Sequence, residues 1–156
     1  MNTLRLFLAG ILLLSSQLAF SQAPKFNLEE LHDVAVVISD KSHVLSESTS
    51  NRIITELKLK LKSAGLSIKS QPKAANSILV IKISSLKGIT SNRIFLQLLL
   101  AETISVNRKD NEINSFGFTY IDDMAFKSSH SNKDIYNNII NLMANKFINL
   151  YMEQNE

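Results

Sequence analysis

The chain of 156 residues contains no cysteine, and that one absence removes several chemistries together. Disulfides, metal–thiolate sites, thiol nucleophiles and a bacterial lipid anchor on a cysteine beside a cleavage site are all excluded. Glycine occurs only four times and never in a cluster, so no phosphate-cradling loop is available. The sequence has no G-x-S-x-G elbow and no S-x-x-K with a partner motif, although serine is plentiful. Its many asparagines form no N-x-[ST] triplet, which leans toward a bacterial compartment over a eukaryotic secretory route. After the first two dozen residues, no apolar run is long enough to read as a transmembrane helix.

The start itself is apolar and has three parts. Arg5 is the one charge in the first two dozen residues, Leu6–Leu14 is a short apolar run, and Ser15-Ser16-Gln17 turns polar. Ala19-Phe20-Ser21 then places small residues three and one before a cut, and Ser21-Gln22-Ala23 repeats the logic two residues on. A ~30 Å hydrocarbon core needs about 20 apolar residues, so this run reads as a cleaved secretory signal over residues 1–21. Cleavage after Ser21 or Ala23 predicts a periplasmic or secreted bacterial protein with no membrane span left in it. An uncleaved anchor is the alternative. The remainder is one ordinary domain by length, and 45% hydrophobic with 20% charged residues is a globular composition.

Residues 22–33 read as a leader, and 34–156 as a single α/β domain. Val34–Ile38 is a continuous apolar run with three valines, the mark of a strand buried on both faces. Ser46 or Ser48 can cap a helix whose Ile53, Ile54, Leu57, Leu61 and Ala64 share one side. Gly65 stands where that helix ends, and Leu66–Lys69 follows as a short strand. Strand, helix, strand at this spacing implies a right-handed parallel crossover.

Three further strands are expected over Ile78–Ser84, Ile94–Asn107 and Ile113–Ile121, the last two joined by a turn at Arg108–Asn111. Alternation puts Phe116, Phe118 and Tyr120 together on one face. From Asp122-Asp123 to His130 the sequence reads as a loop. Ser131 with Asp134 makes a capping box for a long helix, whose buried side holds Ile135, Ile139, Leu142, Met143, Phe147 and Leu150. The order β-α-β-β-β-β-α predicts a two-layer α/β (α+β) sandwich. Its sheet is mixed, with both helices on one face.

Candidate acid–base groups are His32, His43 and His130, with Asp122 and Asp123 as potential partners of the last. None has metal-ligand spacing, and no catalytic, metal or cofactor site is expected. Charge is more informative. From Glu56 to Glu102 no acidic residue intervenes, while Lys58, Lys60, Lys62, Lys69, Lys73, Lys82, Lys87 and Arg93 are basic. Such a stretch either solvates a helix flank or attracts an anionic glycan, lipid head groups or an acidic protein. Nucleic acid is a poor fit, because export removes the partner and no aromatic-interleaved basic motif is present. Leu59 falls on the outer side of the first helix among Lys58, Lys60 and Lys62, and these four are the candidate partner-binding residues.

The segments "VAVVIS", "SNRIITELKLKLKSAGLSI", "SILVIKI", "RIFLQLLLAETISVNR" and "DIYNNIINLMANKFINLYMEQN" together carry a resemblance. In this order they resemble the small α/β module of bacterial envelope-assembly proteins. That module occurs as the N-terminal domain of the translocation protein TolB and in the outer-membrane activators of penicillin-binding proteins. The resemblance implies a non-enzymatic interaction module that binds other envelope components, and it transfers no named site. It departs from the many lipoproteins of that group in having no cysteine to lipidate. The expected function is therefore protein–protein contact in the envelope. A secreted binder of anionic glycan or lipid through the basic helix is the second reading, and a small hydrolase the third.

Overall fold

A computed structural model describes residues 26–86, 93–108, 111–127 and 131–156. The signal reading on 1–21, Lys87, the turn residues Lys109 and Asp110, and His130 lie outside the described residues. A five-stranded mixed sheet has the order β2-β1-β3-β4-β5. Its strands are β1 (Asp33–Asp40), β2 (Ser67–Lys69), β3 (Ser77–Leu86), β4 (Arg93–Arg108) and β5 (Asn111–Lys127). β1 pairs in parallel with β2 and β3, and β3-β4-β5 is antiparallel. Helix α1 (Glu47–Ser63) links β1 to β2. The C-terminal rod is α2 (Asn132–Asn137), a π-helical turn (Asn138–Met143) and α3 (Ala144–Asn155). This is the expected two-layer α/β sandwich.

Local chemistry explains the helix ends. The Ser46 hydroxyl accepts from the Thr49 amide at 3.2 Å and satisfies one free donor of α1. At the other end Gly65 takes φ +98°, and its amide and that of Leu66 close onto the carbonyls of Lys62 and Leu61. A side chain is strained at that φ, so glycine is the residue that suits it. At the start of α2 the Ser131 hydroxyl accepts from the Asp134 amide, and the Asp134 carboxylate accepts from the Ser131 amide at 2.8 Å.

One sheet face is covered. Val34, Leu79, Ile81, Leu96, Leu98 and Leu100 lie beneath Ile53, Leu57 and Leu61 of α1 and Ile139, Met143 and Phe147 of the C-terminal rod, all buried. Leader residues belong to this core as well, since Leu28 and Leu31 are buried with it. Gln154 holds the leader in place by donating to the Phe26 carbonyl at 3.0 Å and accepting from the Leu28 amide at 2.6 Å. Phe26 packs on Tyr120 with centroids 4.8 Å apart, and Tyr120 meets the edge of Phe147 at 5.0 Å.

The structure corrects the pattern reading in three places. First, β5 does not stop at Ile121 but continues to Lys127, because β4 keeps pairing with it through Arg93↔Lys127. Asp122 and Asp123 are therefore strand residues, not loop residues. Second, the β4–β5 register shifts between Leu100↔Tyr120 and Ala101↔Phe118, leaving Thr119 as an extra residue. Such a bulge reverses the facing of everything beyond it. Tyr120 is 1% exposed in the core, whereas Phe116 and Phe118, 68% and 59% exposed, lie on the other face. The bulge is held by Glu102, whose carboxylate accepts from the hydroxyls of Ser77 and Thr119. Third, the π-helical turn holds more residues per turn than an α-helix, so it rotates the buried stripe. Ile140 is buried in consequence, and Leu142 turns outward to 54% exposure.

Candidate functional site

The first candidate surface is the outer side of α1. Leu59 is 60% exposed and borders a shallow trough toward the C-terminal rod, with Ala64, Ile148 and Met152 along it. Lys60 faces this trough and donates from Nζ to Asn145 Oδ1 at 3.1 Å. At 3.6 residues per turn, Lys58 and Lys62 lie about 40° apart, while Lys60 lies about 160° from Lys58. The helix thus carries all three lysines but does not gather them into one patch: Leu59 separates Lys60 from the other two. On the trough side the Tyr136 hydroxyl donates to Glu56, and the Arg52 guanidinium lies 4.3 Å from the centroid of the Tyr136 ring. The Glu56 hydrogen bond, with burial next, raises the Tyr136 pKa above the usual tyrosine value.

The acid–base candidates do not converge. His32 precedes β1, where its carbonyl accepts from the Ser67 amide, and His43 follows it with φ +50°. The eight residues of β1 hold the two about 25 Å apart at some 3.3 Å per residue. Asp122 and Asp123 are consecutive in a strand and so face opposite sides of the sheet. Asp122 is bound by Lys146 at 2.6 Å. Among the described residues no group of three histidine or acidic side chains is placed to hold a metal ion.

The sheet face opposite the helices is where apolar residues accumulate. Cross-strand pairing builds two rows over four strands, Ala35–Ile78–Ala101–Phe118 and Val37–Val80–Leu99–Ile121. A polar row, Ser39–Lys82–Gln97–Asp123, borders them on one side. Phe116 extends the patch on the other side, opposite Thr103. Leu99 is nearly buried between its neighbours, but Phe118, Phe116 and Ile121 are exposed where the patch reaches β5. Sequence reasoning missed this surface because an unbroken alternation puts Phe116 and Phe118 on the same face as Tyr120. The available signal was the pairing of isoleucines and valines at both odd and even positions of β1 and β3.

No protein-family model and no curated protein matches the chain. Among solved structures, the PelC dodecamer from Paraburkholderia phytofirmans is similar over 72% of this chain and 85% of its own, at 12% identity and TM-score 0.35. A minor lipoprotein from Acinetobacter baumannii is similar over 79% and 92%, at 14% identity and TM-score 0.30. The lipoprotein GNA1162 from Neisseria meningitidis is similar over 76% and 99%, at 12% identity and TM-score 0.32. These likenesses carry no site and no activity across to this chain. Among the described residues no helix is long and apolar enough to cross a membrane.

Proposed function

We propose that the protein is an exported, non-enzymatic binding module of the bacterial cell envelope that acts through protein–protein contact. The observation that carries this reading is the sheet face that no described helix covers, whose two apolar rows are closed at Ala35 on β1 and open at Phe118 and Ile121 on β5, beside Ser39, Lys82, Gln97 and Asp123. A sheet face exposed to water is ordinarily polar at alternate positions, and an apolar one calls for a covering layer. Exposed aromatic and branched aliphatic side chains bordered by a polar row have the anatomy of a contact surface. The secretory-type start supplies the compartment, and the split lysines of α1 give the anionic-ligand reading little geometric support.

The test uses tagged protein as bait in an envelope extract, followed by titration of the recovered partner. Phe118→Ser combined with Phe116→Ser is expected to weaken binding by about tenfold or more, the scale of an interface hot spot. Joint replacement of Lys58, Lys60 and Lys62 by glutamine is expected to change it by less than about threefold, as rim charges do. The reading fails if the lysine variant abolishes binding, or if polysaccharide or lipid is recovered in place of a protein.

A further inference from the structure

On the helix side of the sheet, an open groove of about 890 Å³ runs between β5 and the C-terminal rod. It is separate from the uncovered face, and three independent features define what it fits. Its floor is apolar and partly sulfur-bearing, with Met124, Met143 and Leu150. Methionine packs against varied partners because its unbranched chain is easily rearranged. Leu142 adds an exposed wall, and it stands there because the π-helical turn rotates it out of the core. Such turns recur at functional positions.

The second feature is the backbone of β5. Among the described residues β5 has β4 on one side and no strand on the other. Unpaired N–H and C=O groups along an edge are a template for another strand. Proteins blunt such edges with lysine, proline or other charges; Tyr120–Ala125 has no lysine or proline, and of its two charges Asp122 is neutralised by Lys146. The other edge of the sheet, β2, is only three residues long.

Charge is the third feature. Two carboxylates, Asp122 and Glu153, stand in the groove against the single ammonium of Lys146, while Asp123 at the same strand edge faces the other side of the sheet. Lys146 is taken up by Asp122, while Asp123 and Glu153 form no ion pair among the described residues. The rod borders the groove from Asn141 to Glu153, about 18 Å at 1.5 Å per residue, which is the length of a five- or six-residue strand.

We infer that this groove receives an extended segment of another protein as a sixth strand, paired to β5 over Ile121–Ala125. Alternate apolar side chains of that segment lie over Met124 and Leu142 on the helix side, and the lysine or arginine residues between them meet Asp123 on the other side of the sheet. Main-chain bonding to the edge holds the segment, and the groove selects among its side chains.

The experiment selects binders from a displayed library of random decapeptides on the purified protein, then titrates the enriched peptides as synthetic probes. Enrichment of sequences that alternate apolar residues with lysine or arginine is expected. Asp123→Lys, and separately Leu142→Ser, should each weaken binding by about tenfold. Both positions are exposed, so these variants should retain the fold. Amide exchange within 121–125 should slow when the peptide binds, and Phe118→Ser should leave its affinity unchanged. No enrichment, peptides indifferent to both variants, or binding without new protection at 121–125 would each overturn the inference. So would self-association lost in Leu142→Ser, which would make a second copy the occupant. Peptide binding lost in Phe118→Ser would overturn the groove while leaving the uncovered-face reading intact.

Discussion

Phe118 and Tyr120 are two positions apart, and an unbroken strand would give them equal surroundings. The Thr119 bulge separates them by the thickness of the sheet, which turns a pair of alanine substitutions into a sharp test. Tyr120 is buried between Phe26 and Phe147, at 4.8 and 5.0 Å. Truncating a buried aromatic side chain costs roughly 3–5 kcal/mol, and each aromatic contact contributes about 0.5–1.5 kcal/mol of such a loss. Its hydroxyl has no hydrogen-bond partner among the described residues, so no bond to them is lost with it, and Tyr120→Ala is expected toward the lower end, about 3 kcal/mol. Phe118 is more than half exposed, and Phe118→Ala should remain within about 0.5 kcal/mol of the parent. The chain has no tryptophan, so urea unfolding is best followed by far-ultraviolet circular dichroism. Losses equal within about 1 kcal/mol, or a larger loss for Phe118→Ala, would refute the bulge and with it the uncovered aromatic face.

Three more outcomes follow from the same geometry. Leu98→Ala and Phe147→Ala should each cost roughly 2–5 kcal/mol in equilibrium unfolding; values near 0.5 kcal/mol would mean that the helix layer does not cover this face. Burial, and after it the Asp122 carboxylate, raises the Tyr120 pKa above its ordinary value near 10. The fold thus keeps a proton that the unfolded chain releases, so this contribution is complete below about pH 10 and is lost as pH rises beyond it. Tyr120→Phe should flatten that alkaline decline, and an unchanged slope would assign it to another group. Finally, intact mass of the exported protein should show a first residue of Gln22 or Pro24, whereas Met1 retained on membrane-bound protein would contradict the secretory reading.

The parts of the fold that were legible in the sequence are those governed by a local rule. Ser46, Gly65 and the Ser131–Asp134 box mark helix ends because the free backbone groups there need particular side chains. Val34–Ile38 reads as a central strand because it is apolar at both parities, and the structure flanks β1 with β2 and β3. Leu59 was placed correctly on the outer side of α1, since one turn of helix fixes that position. What was not legible depends on distance. That Lys60 is held by Asn145, 85 positions away, depends on the packing of two helices, whereas its separation from Lys58 and Lys62 follows from the helical period alone. Leu28 and Leu31 join the core because Gln154 and Asn155 bind the leader's backbone, a contact between the two ends of the described chain.

The two failures of periodicity have one cause and one consequence. Reading faces from a sequence assumes a constant period, two for a strand and 3.6 for a helix. One extra residue in β5 and one wider turn in the C-terminal rod break those periods. In each case the residues moved out of the core are large and apolar: Phe116 and Phe118 on the strand, Leu142 on the helix. A fold selected for burial alone would gain by turning either set inward, because each exposes surface worth about 25 cal/mol per Å². Local rules tend to fail where function opposes stability. Both irregularities here present apolar groups along the same strand, Phe116 and Phe118 on one side of it and Leu142 across the groove on the other. Deleting Thr119 makes Phe118 and Tyr120 consecutive and so keeps them on opposite faces; if the patch serves binding, this variant should regularise the β4–β5 pairing and still bind the partner of the uncovered face. Removing one residue from the π-helical turn should instead abolish peptide capture while the uncovered face still binds its partner. Loss of both activities in the helix variant, with the fold intact, would show that the two surfaces are one site and that their separation by the sheet is mistaken.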